Sequence, residues 1–116
     1  DTVSGTSWEE LTELSMDIDC VGGVLQVTTN ITLWSPSYDE ARLMVAIIVD
    51  GAFVSVEESA PVSDDPGSTV HVFADVPVGR GSVAVAVLCK MLVWTGGNSD
   101  LINVDNGCLE ARNVRR

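Results

Sequence analysis

The sequence predicts an all-β fold, an antiparallel sandwich or barrel of about eight strands. Val, Ile and Thr, which suit a pleated sheet, dominate the chain, and apolar spacing of period 3.6 is not sustained anywhere. Turn signals recur at Gly22-Gly23, Ser35-Pro36, Asp50-Gly51, Asp65-Pro66-Gly67, Gly79-Arg80-Gly81, Gly96-Gly97 and Asn106-Gly107. At 116 residues the chain is one domain by length. Within it, residues 1–19 form an N-terminal segment and first strand, and residues 20–116 the β-sandwich.

Strands are expected near 11–20, 24–34, 42–50, 52–57, 69–76, 82–94, 101–105 and 108–113. A helical turn is signalled in "SWEELTEL", residues 7–14, where Ser7 is an N-cap and Glu10 its capping-box partner. Gly22-Gly23, Asp50-Gly51 and Asn106-Gly107 stand as two-residue loops between strand-like runs. Asp-Gly and Asn-Gly supply the positive φ angles of a type I′ hairpin turn. The longest connection, "EESAPVSDDPGS" at 57–68, is polar and rich in Pro and Ser. It crosses between sheets or carries contacts.

Side-chain alternation assigns faces. In 24–34, Leu25, Val27, Thr29, Ile31 and Leu33 share one face, and Gln26, Thr28, Asn30 and Thr32 the other, which is wet. Residues 82–94 are apolar on both faces. Val83, Val85, Val87, Cys89, Met91 and Val93 form the core side, and Ala84, Ala86, Leu88, Leu92 and Trp94 the other, broken by Lys90. Residues 42–50 repeat this, with Leu43, Val45, Ile47 and Val49 inside and Met44, Ala46 and Ile48 outside. An apolar outer face needs a cover. Another copy of the chain is the first expectation, with Met44, Ala46, Ile48, Ala84, Ala86 and Leu88 as the oligomer interface. An N-terminal segment folded over the face is the second.

The formal net charge of −11 argues against nucleic acid or an anionic membrane surface as partner. The longest uninterrupted apolar run, 43–49, is far below the ~20 residues of a membrane helix. The chain opens at Asp1 rather than Met, as expected of a processed product or an excised piece. Arg112, Arg115 and Arg116 crowd the C-terminus, as a solvated tail or as a contact for an acidic neighbour.

Catalytic signals are sparse, and no enzyme activity is expected. His71 precedes Asp75 by four on one strand face, but "GRGSV" is no nucleophile elbow. The carboxylates Glu9-Glu10, Asp17/Asp19, Glu57-Glu58 and Asp64-Asp65 read as solvated charge. "NVDNG", 103–107, lacks the alternate ligands and closing Glu of a calcium loop. No metal and no cofactor is expected. Cys20, Cys89 and Cys108 show no metal-ligand spacing, and buried free thiols are favoured over a disulfide. Asn30-Ile31-Thr32 is a formal glycosylation sequon. Trp34 and Trp94, at strand ends, either seal the sandwich edge or stack on a sugar.

The order of features resembles a known family. "VLQVTTNITLW" is an alternating strand, and "ARLMVAIIVDGAFV" a strand entering a VDG turn. "VHVFADVPVGRGSVAVAVLCKMLVW" is a strand, a Gly-containing bend and a long apolar strand, and "GCLEARNV" closes the chain. Over residues 20–113 this resembles the small jelly-roll heads, related in shape to tumour necrosis factor and C1q heads, of phage tail and capsid proteins. The few aromatics and the missing GxYxF-like signature separate it from true C1q heads. The resemblance implies a jelly roll, a homotrimer and a location in the virion. The chain would be a fibre tip, receptor-binding head or capsid decoration, with other virion proteins and a host receptor or glycan as partners. Binding would use loops 57–68 and 95–100. The alternative is a monomeric carbohydrate-binding or adhesin-type module of a larger extracellular protein.

Overall fold

The computed structural model describes residues 2–3, 7–34, 42–59, 68–91 and 102–115. These form six strands: β1 (Thr2–Val3), β2 (Glu9–Trp34), β3 (Leu43–Val49), β4 (Ala52–Glu58), β5 (Ser68–Met91) and β6 (Ile102–Val114). All pair antiparallel in one sheet of order β1-β6-β2-β5-β3-β4. The pairing is nested: β1 with β6, β2 with β5, β3 with β4. That nesting is a hairpin of hairpins rolled up, the jelly-roll connectivity, and it excludes a meander, in which successive strands would lie in sequence order.

The sheet cannot be flat. Strand β2 has 26 residues, which at about 3.3 Å each would reach roughly 86 Å. The longest dimension of the molecule is 48 Å. The long β2–β5 ribbon therefore bends at its middle and contributes to two layers. In the first, residues 24–34 of β2 lie between β6 and residues 68–78 of β5. In the second, residues 82–91 of β5 lie between residues 9–21 of β2 and β3, with β4 at the edge. Counted this way the six strands give eight extended segments. Leu14, from the second layer, packs on Gly107 in the first: a Cβ at Gly107 would stand 2.9 Å from Leu14 Cδ1.

The corner is made by glycine. Gly22 and Gly23 have φ of 96° and 86°, and across the ribbon Gly81 has φ of 127°. The register is the same on both sides of the corner, from Cys20↔Gly81 to Gly23↔Val78, with the Gly22 position itself skipped. Gly22-Gly23 is thus no hairpin loop, and Gly79-Arg80-Gly81 is no connection between separate strands. Each positive φ rotates the chain relative to the pleat, so the buried set changes parity. In β2 it passes from Cys20 to Leu25, and in β5 from Ala74 to Val83. Asn113 of β6 closes the corner. Its Oδ1 accepts from Val21 N–H at 2.8 Å, and its Nδ2 donates to the carbonyls of Gly22 (2.9 Å) and Val24 (3.2 Å). Asn113 thereby partners backbone groups at the end of the β2–β6 ladder, which stops at Val24↔Val114.

Asp50-Gly51 is a hairpin turn as expected, with φ of 49° and 82°. Asp50 also clamps the neighbouring strand. Its N–H donates to the Ala84 carbonyl at 2.8 Å, and its Oδ1 accepts from Ala84 N–H at 2.9 Å. At the far end of β3, Leu43 and Ser59 exchange bonds of 2.9 and 2.7 Å.

Two further expectations are corrected. Asn106-Gly107 is not a hairpin. The register steps from Thr32↔Asn106 to Leu33↔Val104, so Asp105 is an extra residue inside β6. Residues 7–14 do not form a helical turn. The chain enters β2 at Glu9, because the free edge of β5 pairs with it (Glu9↔Cys89, Glu10↔Leu88). A wide bulge follows, five residue steps on β2 opposing two on β5, and it turns both Leu11 and Leu14 into the core. Tertiary pairing outweighs a capping signal worth about 1 kcal/mol.

The core holds the inward sets read from the sequence: Leu25, Val27, Ile31 and Leu33; Leu43, Val45, Ile47 and Val49; Val83, Val85, Val87 and Cys89. Thr29 is the polar member, and its hydroxyl donates to the Cys108 carbonyl at 2.8 Å.

Candidate ligand-binding face

The outer face of the first layer is a grid fixed by register. Residues opposite one another across antiparallel strands share a face. Three rows follow, reading from β6 through β2 to β5: Arg112–Gln26–Asp75, Glu110–Thr28–Phe73 and Cys108–Asn30–His71. A fourth pair, Thr32 and Thr69, brings its hydroxyls to 3.4 Å. Phe73 and Cys108 are the apolar members of these rows, and the next row toward the corner, Val114–Val24–Pro77, is apolar as well. Phe73 is 72% exposed, the most exposed large apolar side chain among the described residues. It stands between His71 and Asp75 on its own strand, with Thr28 across from it. An open groove of about 610 Å³ is lined by Gln26, Thr28, Glu110 and Arg112 together with the core-packed Met16 and Ala111, and Phe73 is not part of its lining.

His71 and Asp75 do share the face, yet four residues of strand separate them by about 13 Å of backbone, with Phe73 between. Asn30 lies on the middle strand of the three, and its Oδ1 is enclosed without a hydrogen-bond partner in the structure. A sequon asparagine presented for glycosylation sits in a surface loop, and Asn30 does not.

The other outer face, on the second layer, carries the six residues expected at an oligomer interface, and the chain itself covers part of it. The Trp8 and Phe53 rings meet at 5.1 Å between centroids, tilted by 57°. Trp8 flanks β5 and Phe53 belongs to β4, so the rings meet across the intervening β3. Ala46, an outward residue of β3, is 0% exposed beneath this cover, and Ile48 is 8% exposed. Lys90 Nζ lies 4.8 Å from the Trp8 ring, a cation–π contact that holds the cover from the β5 side. Ala46 and Ile48 are therefore not open to a second subunit. Met44, Ala86 and Leu88 stay half-buried and Ala84 exposed.

The three cysteines are free. Cys20 and Cys89 are buried and Cys108 is exposed. Burial pushes the Cys89 thiol up to about 12, with a further contribution from the negative charge of Glu9. Among the described residues, no three His, Cys, Asp or Glu side chains gather as a metal site. Arg42 and Glu58 form an exposed ion pair at 3.1 Å beside the β3–β4 hairpin. The side chain of Trp34, all of Trp94, residues 60–67 and 92–101 of the expected loops and the side chains of 103–106 lie outside the described residues.

Sequence reasoning missed Phe73, because an isolated Phe in an alternating strand carries no motif. Its face can be read from the alternation of Val70, Val72 and Ala74, which turn inward. It also missed Asn113, whose role depends on a bend 91 residues away.

No protein-family model matches this chain, and no curated protein matches it. Five solved chains do. One is described as the EclA C-terminal domain, a sugar-binding protein. It is 12% identical, over 93% of this chain and 79% of that one, with a TM-score of 0.46.

Proposed function

We propose that this chain is a non-enzymatic binding module that takes a carbohydrate on the outer face of the first layer, in an extracellular setting. Phe73 carries the reading: a phenyl ring left in water at the centre of a face of hydrogen-bonding groups. Burying a Phe side chain is worth about 1.5–3 kcal/mol. The C–H face of a pyranose ring offers that burial, while its hydroxyls meet Gln26, Thr28 and Asp75. Apolar and aromatic contact together with a few placed polar groups is the composition of small-molecule sites.

Titration calorimetry against a panel of oligosaccharides tests this. At least one should bind the wild type and bind Phe73→Ala at least tenfold more weakly, with an unchanged urea midpoint. No binding across the panel, or equal binding by the variant, removes the reading.

A homotrimeric virion part, as fibre tip, receptor-binding head or capsid decoration, is the second reading. Other virion proteins and a host surface receptor would be its partners. It is supported by the outer face of the second layer, where Phe53 and Val56 are exposed beside Met44, Ala84, Ala86 and Leu88. Light scattering at micromolar concentration separates the two: a trimer favours the virion part, and a stable monomer removes it.

A further inference from the structure

Resting on the carbohydrate reading, we infer that the ligand is a short neutral oligosaccharide and that Asp75 both binds it and discriminates against acidic glycans. Size comes first. The face spans three strands about 4.8 Å apart and, from the His71 row to the Asp75 row, about 13 Å along them. That exceeds one sugar ring, so units on either side of the ring stacked on Phe73 also lie over polar side chains.

Charge comes second. The charged groups of this face are Asp75, Glu110 and Arg112, with Arg112 across Gln26 from Asp75 and two positions from Glu110 on its own strand. The face thus carries two carboxylates and one guanidinium, and nothing else described on it offers a fixed positive charge to an acidic sugar. Asp75 stands about 7 Å along the strand from Phe73. A unit negative charge placed on the ring would be repelled by it, by about threefold in affinity in an unscreened water-like dielectric and by less at physiological salt. The chain's net charge of −11 adds to this at low salt.

Hydroxyls meet the opposite response. A carboxylate accepts from two O–H donors at once and forms charge-assisted bonds, which are stronger than neutral ones. A pair of adjacent sugar hydroxyls supplies such donors, and Gln26, beside Asp75, adds both a donor and an acceptor.

The test uses neutral and uronic-acid-containing oligosaccharides of equal length, titrated into the wild type, Phe73→Ala and Asp75→Asn. Neutral oligosaccharides should bind the wild type more tightly than acidic ones. Asp75→Asn should weaken neutral binding about tenfold and leave acidic binding equal or stronger. Tighter acidic binding that still depends on Phe73 overturns this inference and leaves the carbohydrate reading standing. Neutral binding unchanged in Asp75→Asn overturns the role of Asp75. No Phe73-dependent glycan binding at all overturns both.

Discussion

Replacing Gly23 by alanine tests the corner on which the two-layer arrangement depends. Two costs add at this position. The φ of 86° is a conformation that L side chains adopt at about 1–2 kcal/mol. The new methyl group would also collide with the Val114 carbonyl oxygen and stand 3.0 Å from Arg115 Cα. Neither is the end of a flexible side chain, so the C-terminal end of β6 must move off β2. Asn113 lies in that end, and its three bonds to Val21, Gly22 and Val24 weaken with the move, each worth about 0.5–1.5 kcal/mol. The total is roughly 3–5 kcal/mol. Gly22 is an internal control. Its φ of 96° carries the same conformational cost, but nothing lies within 4 Å of a Cβ there, so Gly22→Ala should cost about 1–2 kcal/mol. Urea unfolding reads both, through the shift in midpoint at constant slope. Asn113→Ala should cost clearly less in the Gly23→Ala background than in the wild type, because its bonds are already weakened. Equal costs for the two glycine variants, or full additivity with Asn113→Ala, would refute the account of the corner.

Three further predictions follow from other parts of the molecule. With a water-soluble disulfide reagent at neutral pH, Cys108 should react first and Cys20 and Cys89 only as fast as the protein opens; three equally fast thiols would contradict their burial. Because the folded Cys89 thiol is raised from 9.0 to about 12, the unfolded chain loses its proton first. Stability contributed by this group is therefore complete below pH 9 and falls by up to about 1.4 kcal/mol per pH unit between 9 and 12. Cys89→Ala, though destabilised at neutral pH by its cavity, should show a shallower alkaline decline, and an identical slope would falsify the assignment. Asp50→Ala should cost about 2–3 kcal/mol in urea unfolding, from the lost bond to Ala84 N–H together with a positive φ that Ala tolerates poorly. Asp50→Asn, which keeps an acceptor and tolerates this φ, should recover most of it.

Alternation made the layers legible before any coordinates. Leu25, Val27, Ile31 and Leu33 read as one inward face and Gln26, Thr28, Asn30 and Thr32 as the other, because a period of two has no third option. The double-sided apolar strands were legible too, as was the choice of cover between a second copy and an N-terminal segment. The choice itself was not. Trp8 and Phe53 are 45 positions apart, and their contact over β3 depends on the lateral order of four strands. Pairs of small turn residues misled for a related reason. Gly22-Gly23 and Asp50-Gly51 both supply positive φ, and only the location of the partner strand distinguishes a bend within a strand from a reversal between two.

Sequence by itself determined that the chain is all-β, which face of its alternating runs turns inward, and where the chain can adopt a positive φ. Those properties follow from local stereochemistry and from the separation of apolar and polar side chains. Tertiary structure decided the nesting of β1 with β6, β2 with β5 and β3 with β4, the fold of the long ribbon at its glycine corner, and the assembly of a polar face around Phe73. These rest on pairings between residues tens of positions apart, whose free energy comes from the closed ladder and the shared core rather than from any local segment. The six-residue patch read from alternation is accordingly divided, with Ala46 and Ile48 covered by the chain's own Trp8 and Phe53. The face that the sequence marked merely as wet holds the exposed phenyl ring.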